Sequence, residues 1–171
     1  MHAMALEQLH AQLAPGSTVL DVGSGSGLLT TVMAEMVGET GRVVGIDHVP
    51  ELVQWSKDNV RRAGKQELLD SGRLQLLVRD GFAGYAEGGP YDAIHVGAAP
   101  PTVPDELKRQ LKPGGVLLTP VGPAGGSQEF VRITRAASEV EGGGPPSCAE
   151  ERLFGVRYVP LTSLEEQMRA A

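Results

Sequence analysis

The chain has a single cysteine, Cys148, among its 171 residues. That excludes an internal disulfide framework and any cysteine-based metal cluster. Cys148 sits in a Gly/Pro-rich stretch and reads as an exposed, reduced thiol. No apolar run approaches the roughly 20 residues of a membrane span. The first residues, Met1-His2-Ala3-Met4-Ala5-Leu6-Glu7, carry neither a basic n-region nor an apolar signal core. A cytoplasmic protein without a membrane partner is therefore expected. Excess positive charge is also missing. The net charge is −6, whereas nucleic-acid binding needs a basic face, so no nucleic-acid partner is expected. No group of His, Cys, Asp and Glu has metal-ligand spacing, which predicts no metal site. No Ser/His/Asp set, internal repeat or coiled-coil heptad is evident either.

What is present suits one soluble domain spanning residues 1–171. The residues are 41% hydrophobic and 21% charged, an ordinary globular balance at a length with ample core. Strand and helix patterns alternate. A helix is predicted over Ala3–Leu13, a strand over Thr18–Val22, a helix over Leu28–Val37 and a strand over Arg42–Ile46. Then follow a helix over Glu51–Ala63, strands over Leu74–Val78 and Asp92–Val96, and a short helix over Pro104–Leu111. A strand over Val116–Val121 comes after a Lys112-Pro113-Gly114-Gly115 turn. Phe130–Thr134 and Gly155–Val159 read as antiparallel strands separated by a flexible Glu141–Ser147 loop, and Leu164–Ala170 reads as a terminal helix. The alternation predicts an α/β sheet, mostly parallel, with helices on both faces.

The densest signal is Val19-Leu20-Asp21-Val22-Gly23-Ser24-Gly25-Ser26-Gly27, an apolar strand that ends in a glycine-rich turn. Glycine lets a ligand approach bare backbone. The third glycine comes one residue earlier than in the dinucleotide fingerprint G-x-G-x-x-G. The pattern D-x-G-x-G-x-G instead resembles the first motif of Rossmann-like S-adenosylmethionine-dependent methyltransferases. Asp47 ends the next strand, where a carboxylate accepts from ribose hydroxyls; capping of the following helix is the alternative. Asp80, before Gly81, could accept from an adenine amine or simply form a turn. His95 lies inside an apolar strand, which suits a buried, hydrogen-bonded imidazole, with catalysis as the alternative. Gly97 and two alanines beyond it leave room for a substrate.

Taken end to end, the chain resembles the protein-L-isoaspartate O-methyltransferases. The matching runs are Met1-His2-Ala3, Leu20–Gly27, Gly45-Ile46-Asp47-His48, Asp80-Gly81, Tyr91–Ala99, Gln110–Gly115, Pro120–Pro123 and Tyr158–Thr162. The Tyr91–Ala99 and Pro120–Pro123 runs are the ones specific to this family. The resemblance implies S-adenosyl-L-methionine as cofactor, with methyl transfer to the free carboxyl of L-isoaspartyl and D-aspartyl residues in damaged proteins. It implies a cofactor site of His2, Asp21, Gly23, Ser24, Gly25, Asp47, His48, Asp80, Gly81, Thr162 and Gln167. Peptide substrate would lie along Val96-Gly97-Ala98, and a monomer is expected.

No general base is needed, because a free carboxyl with a pKa near about 4 is already ionised at neutral pH. The family's usual Ser- or Thr-containing segment, which covers the cofactor, would precede the Met1-His2-Ala3 match. The chain as given begins at Met1, so no catalytic side chain is assigned. The expectation is cofactor binding with weak or no turnover. The alternative reading is a non-catalytic module that binds the cofactor or a peptide.

Overall fold

A computed structural model describes residues 2–137 and 146–162. The described residues form one seven-stranded sheet in the order β3-β2-β1-β4-β5-β6-β7. The strands are β1 (Thr18–Val22), β2 (Arg42–Asp47), β3 (Leu74–Val78), β4 (Tyr91–Val96), β5 (Leu111–Val121), β6 (Gln128–Arg135) and β7 (Cys148–Val156). The helices are α1 (His2–Leu9), α2 (Leu28–Met36), α3 (Pro50–Arg62), α4 (Gln66–Asp70) and α5 (Asp105–Arg109). Strands β1 to β5 are parallel, whereas β6 and β7 run antiparallel to their neighbours.

Successive residues of each strand enter opposite apolar layers, as the pleat requires. Val19, Val43, Leu76, Ala93 and Leu118 pack with Leu9, Met33, Val53 and Val60 from the helices α1 to α3. Leu20, Val44, Ile46, Ile94 and Leu117 face the other way, against Leu107 of α5 and the partly buried Phe82 and Tyr85. The expected cover on both faces therefore holds, with α1 to α4 on one side and α5 with irregular chain on the other. No described helix is long and apolar enough to cross a membrane.

Five expectations are corrected. The first helix passes into a 3-10 turn at His10–Gln12, because Pro15 and Gly16 lie just beyond it. Lys112–Gly115 is not a separate turn but a bulge inside β5: Tyr91 pairs Leu111 while Ala93 pairs Val116. Leu111 thus belongs to a strand, and α5 is shorter than predicted. The last strand is Cys148–Val156, not Gly155–Val159. It is an edge strand carrying Glu150, Glu151 and Arg152, and its charge hid it from a reading based on apolar runs. Cys148 is accordingly half-buried at the start of that strand rather than exposed. The helix predicted over Leu164–Ala170 and residues 141–145 of the loop lie outside the described residues.

Candidate active site at the sheet switch point

The winding of the sheet reverses between β1 and β4, and ligands of open α/β sheets bind outside the carboxyl ends of the strands at that point. Here β1 runs into the glycine turn, whose Gly23, Gly25 and Gly27 have φ of +76°, +51° and +78°. A Cβ would be strained at each. The turn is fastened from two sides. Gly23 and Ser24 donate their N–H groups to Ile46 O of β2, at 2.8 and 3.0 Å. Asn59 Nδ2 of α3 donates to Ser26 O at 3.0 Å. Beyond β4, Gly97 N–H donates to Val22 O at 2.7 Å. A Cβ on Gly97 would stand 3.0 Å from Gly23 O, closer than a side chain fits without a small shift of the two exits.

Asp47 is bound to the chain on either side of it, and its Val49 bond is a turn at the entry of α3, which has no side-chain cap. Its Oδ1 accepts from Val49 N–H at the start of α3, and its Oδ2 accepts from Gly25 N–H, both at 3.1 Å. The carboxylate therefore ties β2, the glycine turn and α3 together while it lines the site. Each carboxylate oxygen has a second lone-pair site for a ligand hydroxyl.

Two adjoining cavities open over this edge. The larger, of about 480 Å³, is lined by Gly23, Gly25, Ile46, Asp47, His48, Val49, Leu52, Gly81, Gly97, Ala98, Val159, Pro160, Leu161 and Thr162. The smaller, of about 160 Å³, is lined by His2, Asp21, Gly23, Ser24, Gly25, Ser26, Leu29, His95, Gly97 and Tyr158. Gly23, Gly25 and Gly97 belong to both, so the bare backbone is the partition between them. The larger is mostly apolar, with Asp47, His48 and Thr162 as its polar side chains; the smaller has the greater share of polar lining.

The residues expected at the site thus converge, with three exceptions. Val96 is fully buried in the core beneath the edge, so Gly97 and Ala98 alone of that trio line a cavity. Asp80 is exposed and accepts from Phe82 N–H at 3.0 Å, the turn-forming role; its neighbour Gly81 supplies the cavity wall. Gln167 lies outside the described residues. Asp21 lines the small cavity with both oxygens engaged: Thr30 Oγ1 of α2 donates to Oδ2 at 2.5 Å, and His95 Nδ1 lies 2.8 Å from Oδ1. His95 is accordingly the buried, hydrogen-bonded imidazole. Burial pushes the Tyr158 phenol, on the same cavity, above its ordinary pKa.

Sequence reasoning missed Val49 and Leu52, which present the first turn of α3, and the wall made by Val159, Pro160 and Leu161. That wall is chain laid across the end of β4. Ala99 N–H donates to Val159 O at 2.8 Å, and Leu161 N–H donates to Ala99 O at 2.9 Å. The Tyr158–Thr162 run was legible as a motif, but nothing local in it signals the partner it crosses.

Comparison with known proteins gives a consistent result. Residues 1–166 match the model of the family described as protein-L-isoaspartate(D-aspartate) O-methyltransferase. Protein-L-isoaspartate O-methyltransferase 1 of Arabidopsis thaliana is 47% identical over 169 residues, covering 99% of this chain and 70% of that relative. The Caenorhabditis elegans enzyme of the same name is 45% identical, covering 98% of this chain and 70% of its own. A crystal structure from Plasmodium falciparum, assigned as a protein-L-isoaspartate O-methyltransferase in complex with S-adenosyl-L-homocysteine, superposes with a TM-score of 0.80 at 34% identity. It covers 95% of this chain and 73% of that one. With the glycine turn, the Asp47 tie and both cavities falling inside the matched residues, the chain belongs to the protein-L-isoaspartate(D-aspartate) O-methyltransferase family.

Proposed function

We propose that this chain transfers a methyl group from S-adenosylmethionine to the free carboxyl of L-isoaspartyl and D-aspartyl residues in damaged proteins, the first step of their repair. The observation that carries the reading is the pair of cavities at the β1/β4 switch point, walled by the family's own motif runs. The residues suit the cofactor. Ser24 Oγ is buried at the small cavity and has no hydrogen-bond partner among the described residues, which a polar ligand group would remedy.

In this reading Asp47 holds the ribose hydroxyls, Gly81 and Asp80 flank the adenine, and His48 and Thr162 close the larger cavity. Gly23, Ser24 and Gly25 offer main chain and a hydroxyl to the rest of the cofactor, with His2 and Asp21 beside them. The family also assigns Gln167 to this set. Gly97 and Ala98, with the backbone of Val96, carry the peptide. The bound cofactor supplies a methyl group activated by its sulfonium charge.

The chain's contribution is then positional. The acceptor carboxylate is already an anion at neutral pH, so the site has no proton to remove. It must hold one carboxylate oxygen in line and keep water away, and alignment of this kind is worth up to about 7–11 kcal/mol. The residues 1–171 serve as one domain for both tasks, acting as a monomer in the cytoplasm. Family membership favours the enzyme over a non-catalytic binding module.

The product distinguishes this chemistry from other methyl transfers. A carboxyl methyl ester is hydrolysed by mild base and releases volatile labelled methanol, whereas N-methyl and S-methyl products do not. Base-labile label on an isoaspartyl protein supports the reading; base-stable label refutes it.

A further inference from the structure

We infer that Gln128 is a positioning residue for the cofactor, acting through the chain segment that walls the larger cavity; this rests on the reading of that cavity as the cofactor site. Gln128 opens β6 on the far side of β5 from the site and is 2% exposed. Its amide does what a neighbouring strand would do. Oε1 accepts from Tyr158 N–H at 2.6 Å, and Nε2 donates to Tyr158 O at 3.1 Å. Nε2 also lies 3.4 Å from Pro123 O.

One side chain thus satisfies both main-chain groups of Tyr158, at the point where the chain leaves β7 and turns toward the cavity. The next two fastenings are the main-chain bonds between Ala99 and residues Val159 and Leu161. Behind the clamp, the Phe130 ring stacks on Tyr158 with centroids 6.0 Å apart and planes 13° from parallel. Val159, Pro160, Leu161 and Thr162 then line the cavity. Leu161, 7% exposed, also packs on Gly81, where an added Cβ would stand 3.0 Å from its Cδ1.

Without the amide, the half-buried N–H and C=O of Tyr158 would lose their partner, a cost the segment avoids by lifting toward water. Lifting would open the wall. The helices and the five parallel strands do not depend on this clamp, so the consequence falls on ligand binding.

Gln128→Met removes the amide at nearly constant length. Three measurements compare it with the wild type: calorimetric titration with S-adenosylhomocysteine, initial rates against S-adenosylmethionine, and amide hydrogen exchange of the ligand-free protein. The Kd and the cofactor KM rise roughly three- to tenfold, the loss expected for unpairing a part-buried polar group. The kcat at saturating cofactor stays within about twofold. Exchange accelerates at Tyr158 and Leu161 while β1 and β4 keep their protection. Gln128→Glu, which still accepts from Tyr158 N–H, falls between the two.

Unchanged affinity, or unchanged exchange at Tyr158 and Leu161, overturns the inference. So does protection lost throughout the sheet, which would make Gln128 a general structural residue. A wild type that binds no S-adenosylhomocysteine would sink the cofactor reading instead, and the exchange data would still decide whether Gln128 clamps the segment.

Discussion

Asp21 and His95 stand opposite each other in the register of β1 and β4, and Asp21 Oδ1 lies 2.8 Å from His95 Nδ1 within the sheet. A carboxylate only accepts, so Nδ1 carries the hydrogen and Nε2 is the nitrogen left for other partners. Thr30 Oγ1 donates to the other Asp21 oxygen at 2.5 Å. Strand, strand and helix are thereby locked together directly beneath the glycine turn.

Breaking that lock on one side leaves a buried polar group unpaired. His95→Leu and Asp21→Ala are each expected to cost about 2–4 kcal/mol of stability, read from urea unfolding. The double variant costs clearly less than the sum, because the second change no longer strands a partner. Strict additivity would show that the two residues do not act as a couple.

Asp47→Ala removes the carboxylate proposed to hold the ribose hydroxyls, which is also the acceptor for Gly25 and Val49 N–H. Affinity for S-adenosylhomocysteine should fall by roughly 10- to 100-fold in calorimetry, the equivalent of one or two charge-assisted hydrogen bonds. Stability falls by only about 1 kcal/mol, since both N–H groups are near solvent and can be rehydrated. A variant with wild-type affinity would remove Asp47 from the site.

At Gly97, a methyl group would meet Gly23 O at 3.0 Å. Gly97→Ala is relieved by a shift of a few tenths of an ångström between the exits of β1 and β4, where both cavities share a wall. We expect at least a tenfold loss of kcat/KM for the peptide, by the sensitivity of in-line transfer to small displacements, with a smaller loss of cofactor affinity. Gly64→Ala, at a surface turn with open space around its Cβ position, serves as the control.

Alkali provides a test of the core. Burial raises the pKa of the Tyr91 phenol well above its ordinary value, against the opposing pull of Arg42. Its hydroxyl donates to Tyr85 O at 2.5 Å. Tyr158 is raised by burial as well. The folded chain then keeps protons that the unfolded chain releases near pH ~10. Stability from these groups is complete below that pH and is lost as pH climbs through the raised values. Thermal unfolding from pH 9 upward should show Tm falling beyond about pH 10, less steeply in Tyr91→Phe. Identical slopes would place the cause elsewhere.

The site was legible to the extent that its chemistry is local. Positive-φ glycines between an apolar strand and an amphipathic helix announce themselves in Gly23–Gly27, and Asp47 at the end of the next strand follows from the same βαβ unit. What escaped depends on distant partners. The charged edge strand Cys148–Val156 has no apolar alternation to reveal it. The bulge at Lys112–Gly115 looks like a turn because Pro113 and Gly114 serve either. The Tyr158–Thr162 wall is held by Ala99, beyond the end of β4, and by Gln128 of β6, both distant in sequence. Asp80 shows a local signal met locally: an acid before a glycine at a strand end, where it accepts from Phe82 N–H in a turn.

The most direct test of the account is methyl transfer from labelled S-adenosylmethionine to an isoaspartyl peptide, beside the same peptide with a normal aspartyl residue. The account predicts base-labile label on the isoaspartyl peptide and none on its aspartyl twin, at whatever rate this chain achieves. Equal labelling of both, or none on either from a protein that binds S-adenosylhomocysteine, would contradict it.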